Sequence, residues 1–153
     1  MENFNEVELI SAFLEELKAE IVQNLKDRGN VASGETINSL EVIPIDENTV
    51  ALWGAKHLMA LEDGRKPTRS GAESGSPTLF ERIKQWIDDK GLDLNPYAVT
   101  KKIHKEGTSL YRQGGKSGVI STVITEQRIN NFLEIFSREF MSSAESAVIS
   151  EFN

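Results

Sequence analysis

The opening segment narrows the fold more than any other part of this 153-residue chain. Val7, Ile10, Leu14, Leu17, Ile21 and Leu25 follow one another at intervals of 3, 4, 3, 4 and 4. That spacing puts all six on one side of an α-helix. Glu15, Glu16, Lys18, Glu20 and Lys26 occupy much of the other side. Arg28-Gly29-Asn30 is the expected stop, with Gly29 free to take left-handed backbone geometry.

The remaining elements follow from composition and punctuation. Val31–Thr36 reads as a polar connector, and Ile37–Ile45, rich in β-branched residues, as a strand with Pro44 at its end or on an edge. Asp46-Glu47-Asn48 turns the chain, and Thr49–Gly54 returns as a second strand of an antiparallel hairpin. Leu58–Leu61 is a short helix or an extended segment. A helix starts either at Thr78, with Glu81 at capping-box spacing, or at Ser76 with Pro77 in the first helical position. Leu79, Ile83, Trp86 and Ile87 form its expected buried side, and Lys90-Gly91 ends it. Asn95-Pro96 starts another short helix, which Gly107 stops. Val119–Ile124 is expected to be a third strand. Thr125 then caps a final helix with Ile129, Phe132, Phe136 and Phe140 on one face and Leu133 beside it. The predicted fold is α+β in a single domain over residues 1–153. Long N- and C-terminal helices pack on a small antiparallel sheet, with two shorter helices and two long glycine-rich loops.

Those loops are Gly64–Ser76 and Thr108–Gly118, and charge sets them apart. Residues 1–63 hold four Lys/Arg against thirteen Asp/Glu, residues 64–118 eleven against six, and residues 119–153 two against five, within a net charge of −7. Arg65, Lys66 and Arg69 in the first loop, with Lys101, Lys102, Lys105, Arg112 and Lys116 around the second, are the main cationic concentration; Tyr111 adds an aromatic contact. These nine residues are the candidate partner-contact set. The helix carrying Trp86 is the expected rigid spacer between the loops. An acidic total argues against free-standing, non-specific nucleic-acid binding. A basic middle between acidic ends suits packing of one copy against the next.

No catalytic pattern emerges. With no cysteine, a disulfide framework and a cysteine-based zinc site are excluded. His57 and His104 belong to no spaced metal motif and are expected in surface or packing roles. Gly115-Lys116-Ser117 imitates the end of a phosphate-binding loop, but the position that needs the first glycine is Leu110. Gly71-Ala72-Glu73-Ser74-Gly75 has its serine one place late for a nucleophile elbow. The expectation is no enzyme, no metal and no cofactor. The N-terminus lacks the features of a signal peptide, and no run of about 18 apolar residues occurs, so no membrane association is expected.

The order of these features resembles the tail-completion, or head–tail connector (neck), proteins of tailed bacteriophages. The residues that carry the resemblance are Ser33-Gly34-Glu35-Thr36-Ile37-Asn38-Ser39-Leu40, the Leu61–Pro67 loop, the Ile83–Leu92 helix with Trp86, and Tyr97–Thr108. Their order and spacing span roughly residues 5–140. The resemblance implies a non-catalytic virion protein that forms a homo-oligomeric ring at the head–tail junction, assembled in the host cytoplasm. It implies contacts with portal-side connector and tail proteins, and DNA passing through the channel without specific recognition. The basic Arg65–Arg69 segment departs from the expected pattern. The alternative expectation is a nucleic-acid-binding accessory protein that uses the basic middle.

Overall fold

The computed structural model describes residues 5–30 and 34–151. Val31, Ala32 and Ser33, part of the expected connector and of one resemblance motif, lie outside the described residues. Helix α1 spans Glu6–Asp27, capped by the Asn5 side chain, which accepts from the Glu8 N–H at 3.1 Å. Its stripe is buried where it is needed: Leu17, Ile21 and Leu25 are in the core. A helical turn, α2 (Glu35–Asn38), leads to β1 (Glu41–Asp46) and β2 (Thr49–Trp53), an antiparallel pair. Then come α3 (Leu58–Asp63), α4 (Leu79–Lys90), α5 (Pro96–Glu106), α6 (Ser109–Arg112) and α7 (Glu126–Glu151).

The fold is α+β with long terminal helices and a small antiparallel sheet, as predicted. α1 is the hub: it packs on both strands and on α7. Leu40 and Leu58 meet Leu17, Ile21, Leu25, Val119 and Val123 in one cluster, with Leu52, Leu61 and Phe13 packed against it. Pro44 sits within β1 opposite Val50, and the register slips between Pro44 and Asp46. A sheet of two strands has only edges, so a residue without an N–H is tolerated there.

Four expectations change. The first strand starts at Glu41 rather than Ile37, because Glu35–Asn38 close a helical turn capped by Ser39, whose N–H donates to the Glu35 carbonyl. Val119–Ile124 is not a strand but a run of turns. Its Val123 and Ile124 N–H groups both donate to the Ile120 carbonyl at 2.9 Å, and Val119 and Val123 reach the core four residues apart. Within the second loop, Ser109–Arg112 form helix α6. Trp86 does not join the buried side of α4; it is 38% exposed, while Ile87 is buried. Its indole instead lines a cleft with Ile37, His57, Leu61 and Ile83.

The start of α4 is decided by Thr78. Its hydroxyl accepts from the Glu81 N–H, and the Glu81 carboxylate accepts from the Thr78 N–H, a complete capping box. α7 is clamped to α1 through its first turns. Arg128 donates to both Glu20 oxygens at 2.6 and 2.7 Å and to Glu16 at 2.6 Å. One turn on, the Phe132 ring stacks on Phe13 with centroids 4.1 Å apart. No described residue of α7 is fully buried.

Core and surface positions separate in a measurable way. Leu25→Ala is expected to lower unfolding free energy by about 2–5 kcal/mol, the range for emptying a buried leucine site. Trp86→Ala is expected to cost less despite the larger side chain, because part of that ring is already in water. Denaturant unfolding of both variants checks the order.

Candidate functional site

The two basic loops are one structure, not two loops set apart by α4. The Thr108 N–H donates to the Arg65 carbonyl at 2.9 Å, and the Arg65 N–H donates to the Thr108 hydroxyl at 2.9 Å. The Thr68 N–H donates to the His104 carbonyl at 2.9 Å, and the Thr68 hydroxyl and His104 Nδ1 lie 2.7 Å apart. The first loop is thereby strapped across the end of α5. The expected spacer role of α4 is corrected: direct backbone bonding sets the distance between the loops.

Two glycines make the approach possible. At Gly64 (φ 79°) a Cβ would lie 2.3 Å from the Tyr111 nitrogen, and at Gly107 (φ 78°) it would lie 2.7 Å from the Arg65 carbonyl oxygen. Both the left-handed backbone and the contact exclude a side chain.

Behind the double loop lies a buried carboxylate that no sequence motif singled out. Glu62 is 5% exposed. Its carboxylate accepts from the Ile120 N–H at 2.8 Å, the Gly118 N–H at 3.4 Å and the Ser117 hydroxyl at 3.3 Å. Its own carbonyl accepts from the Ser117 N–H at 2.7 Å. From the other side, Asn24 Nδ2 donates to the Val119 carbonyl at 3.1 Å, and the Arg28 guanidinium donates to the Ser117 carbonyl. Burial by itself would raise the Glu62 pKa. The Ile120 and Gly118 N–H groups and the hydroxyl and N–H of Ser121 outweigh it and hold the carboxyl below the ordinary glutamate value. A trace of this was in the sequence: Glu62 falls four residues after Leu58, on the apolar side of its helix.

The nine candidate contact residues divide. Lys66, Arg69, Lys101, Lys102, Lys105, Tyr111 and Lys116 are exposed, and these cations have no ion partner among the described residues. Arg112 is engaged, with Nη1 2.9 Å from the Glu106 carboxylate. Arg65 turns inward: Nη2 donates to the Thr68 hydroxyl at 3.2 Å, and Nη1 is buried without a partner. It braces the strap rather than projecting to a partner. Lys101 and Lys105 lie one turn apart on α5, in line with Tyr97. The loops thus contribute Lys66, Arg69 and Lys116, and the end of α5 contributes Lys105, with backbone hydrogen bonds tying the first loop to the second and to that helix end.

The histidines have ordinary partners. His57 Nε2 lies 2.6 Å from the Thr36 hydroxyl, and His104 bonds Thr68. Among the described residues no three His, Asp or Glu side chains converge as metal ligands, and no helix is long and apolar enough to cross a membrane. Comparison with protein-family models, with curated proteins and with solved structures returns no match.

Glu62 links this surface to pH. A carboxyl with a depressed folded pKa stabilises fully above the unfolded value, about 4.3, and that contribution is lost as pH falls through the lower folded value. Glu62→Gln is expected to cost at least about 1.5–3 kcal/mol at neutral pH, the range for one hydrogen bond to a charged group. It should also flatten the acid limb of the stability curve. Urea titrations of both proteins at several pH values below neutrality check cost and slope. Gly107→Ala is expected to release the strap from α5, read as faster amide exchange at Thr68 and Thr108.

Proposed function

We propose that this chain is a structural subunit of a phage head–tail connector, one copy of a homo-oligomeric ring around the DNA channel. The observation that carries the reading is the strapped double loop. It presents lysines and an arginine on a backbone held by four hydrogen-bond contacts, two between the loops at Arg65–Thr108 and two from the first loop to the end of α5 at Thr68–His104. A surface ordered before it meets a partner loses little entropy on docking, which suits repeated contact between copies. The order of motifs from Gly34 to Thr108 supports the same reading. So does the division of charge, which lets a basic face of one copy meet an acidic face of the next and close by rotation. Partners on the portal and tail sides belong to the same proposal.

Nucleic-acid binding draws on the same cations but has less behind it. Arg65 is folded inward and Arg112 is paired with Glu106, which leaves fewer free cations for phosphates than the sequence suggests. Both readings meet one experiment. Native mass spectrometry and negative-stain microscopy of the protein, alone and with its assembled particle, should show closed rings. A Lys66→Glu/Arg69→Glu double variant should fold normally and form fewer of them. A protein that stays monomeric, with no ring in the particle, overturns the proposal. Duplex DNA binding that is tight at low salt and falls steeply with salt would favour the nucleic-acid reading instead.

A further inference from the structure

α7 is longer than the stretch of α1 it runs beside. It runs antiparallel to α1: Arg128 meets Glu20 and Glu16, and Phe132 meets Phe13 nearer the start of α1. From Phe13 only about 10 Å of α1 remains before Glu6, whereas about 28 Å of α7 remains after Phe132, at 1.5 Å per residue. The last turns of α7 therefore extend beyond the first residue of α1. On that extension Met141 is 67% exposed and Val148 is 57% exposed, with Glu145 between them on the same side of the helix. Residues 139–151 hold Glu139, Glu145 and Glu151 and no lysine or arginine.

The surface that covers this extension is chosen by charge. Parallel, in-register packing against the same segment of a second α7 would set Glu139, Glu145 and Glu151 against their own counterparts. The outer face of the hairpin, with Ile43, Ile45 and Trp53, is apolar but edged by Glu41, Asp46 and Glu47. The outer face of α5 differs. Tyr97, 68% exposed, Lys101 and Lys105 follow at one-turn intervals, while α5 also packs on α4 and buries Thr100. Met141 and Val148 are about 10 Å apart along their helix and Tyr97 and Lys105 about 12 Å along theirs. An apolar–acidic–apolar row therefore faces an aromatic–basic–basic row of the same length.

The contact does not form within one molecule. α7 carries Val148 about 30 Å from Arg128, toward the N-terminal end of α1. The strapped loops on the end of α5 lie by the Glu62-bound segment, which Asn24 and Arg28 hold at the C-terminal end of α1. We infer that the distal part of α7, through Met141, Glu145 and Val148, seats on the Tyr97–Lys101–Lys105 face of α5 in a second copy of this chain. The contact is heterologous, each copy giving its α7 and receiving another's, so it propagates until rotation closes it. The inference deepens the ring proposal and rests on it for closure, though not for the pairing itself.

The absence of cysteine makes the test clean. Mixed V148C and Y97C single variants of the full chain should yield a covalent heterodimer on mild oxidation, in preference to V148C with I45C or V148C with itself. E145K should weaken association by at least about tenfold, and adding K101E should restore most of it. Circular dichroism confirms that each exposed-site variant folds. If rings form but V148C couples to I45C or to itself, or the charge swap restores nothing, the α7 seat is overturned and the ring proposal stands. If the V148C–Y97C pair forms and native mass spectrometry finds only open or dimeric species, the seat stands and the ring fails. A protein that is monomeric at all concentrations overturns both.

Discussion

The structure depends on one buried carboxylate. Residues 117–121 cross the core without a strand partner, so their N–H groups need an acceptor that no sheet provides. Glu62 supplies it, accepting from Gly118 and Ile120. An ionised carboxylate removed from water is costly unless its oxygens are filled; here two unmet needs cancel. With that segment held, Val119 and Val123 close the core over α1, Thr125 caps α7, and the neighbouring loop is drawn against α3.

From this knot the molecule extends in two directions. On one side, the Gly64 and Gly107 contacts bring the basic loops together into a single ordered face. On the other, Arg128 spans Glu16 and Glu20 and sends α7 along α1 and past its beginning. Hydrogen bonding to Arg128 lowers the Glu20 pKa, and the same bonds raise that of Arg128. The clamp is a pair of helix-surface carboxylates around one guanidinium, close to α7's first turn, so it orients the helix without burying it.

Much of this was legible in the residues, and the exceptions are instructive. The α1 stripe, the hairpin, the Thr78 cap and the Asn95-Pro96 start are local patterns, and each appears where its chemistry places it. The candidate contact set was legible as a charge concentration but not as a geometry. Arg65 was indistinguishable in sequence from Lys66, yet one guanidinium folds against Thr68 and the other side chain stays exposed. Val119–Ile124 has strand composition, and it misled because Gly118 sits at φ 83°, the Ile120 N–H donates to the Glu62 carboxylate, and the Val123 and Ile124 N–H groups donate to the Ile120 carbonyl. Trp86 lies at a helical spacing that pointed inward, but the cleft it lines leaves it partly open.

What the sequence determined by itself were the properties set within a few residues: helix and strand periods, caps, stops and the distribution of charge. These depend on backbone sterics and side-chain chemistry that neighbours along the chain already fix. Only the tertiary structure decided which acceptor received the orphaned N–H groups of 118 and 120, that two loops some forty residues apart became one face, and how far α7 outran α1. Those outcomes depend on which surfaces meet across long stretches of chain, and burial and hydrogen-bond satisfaction are properties of the meeting, not of either segment alone.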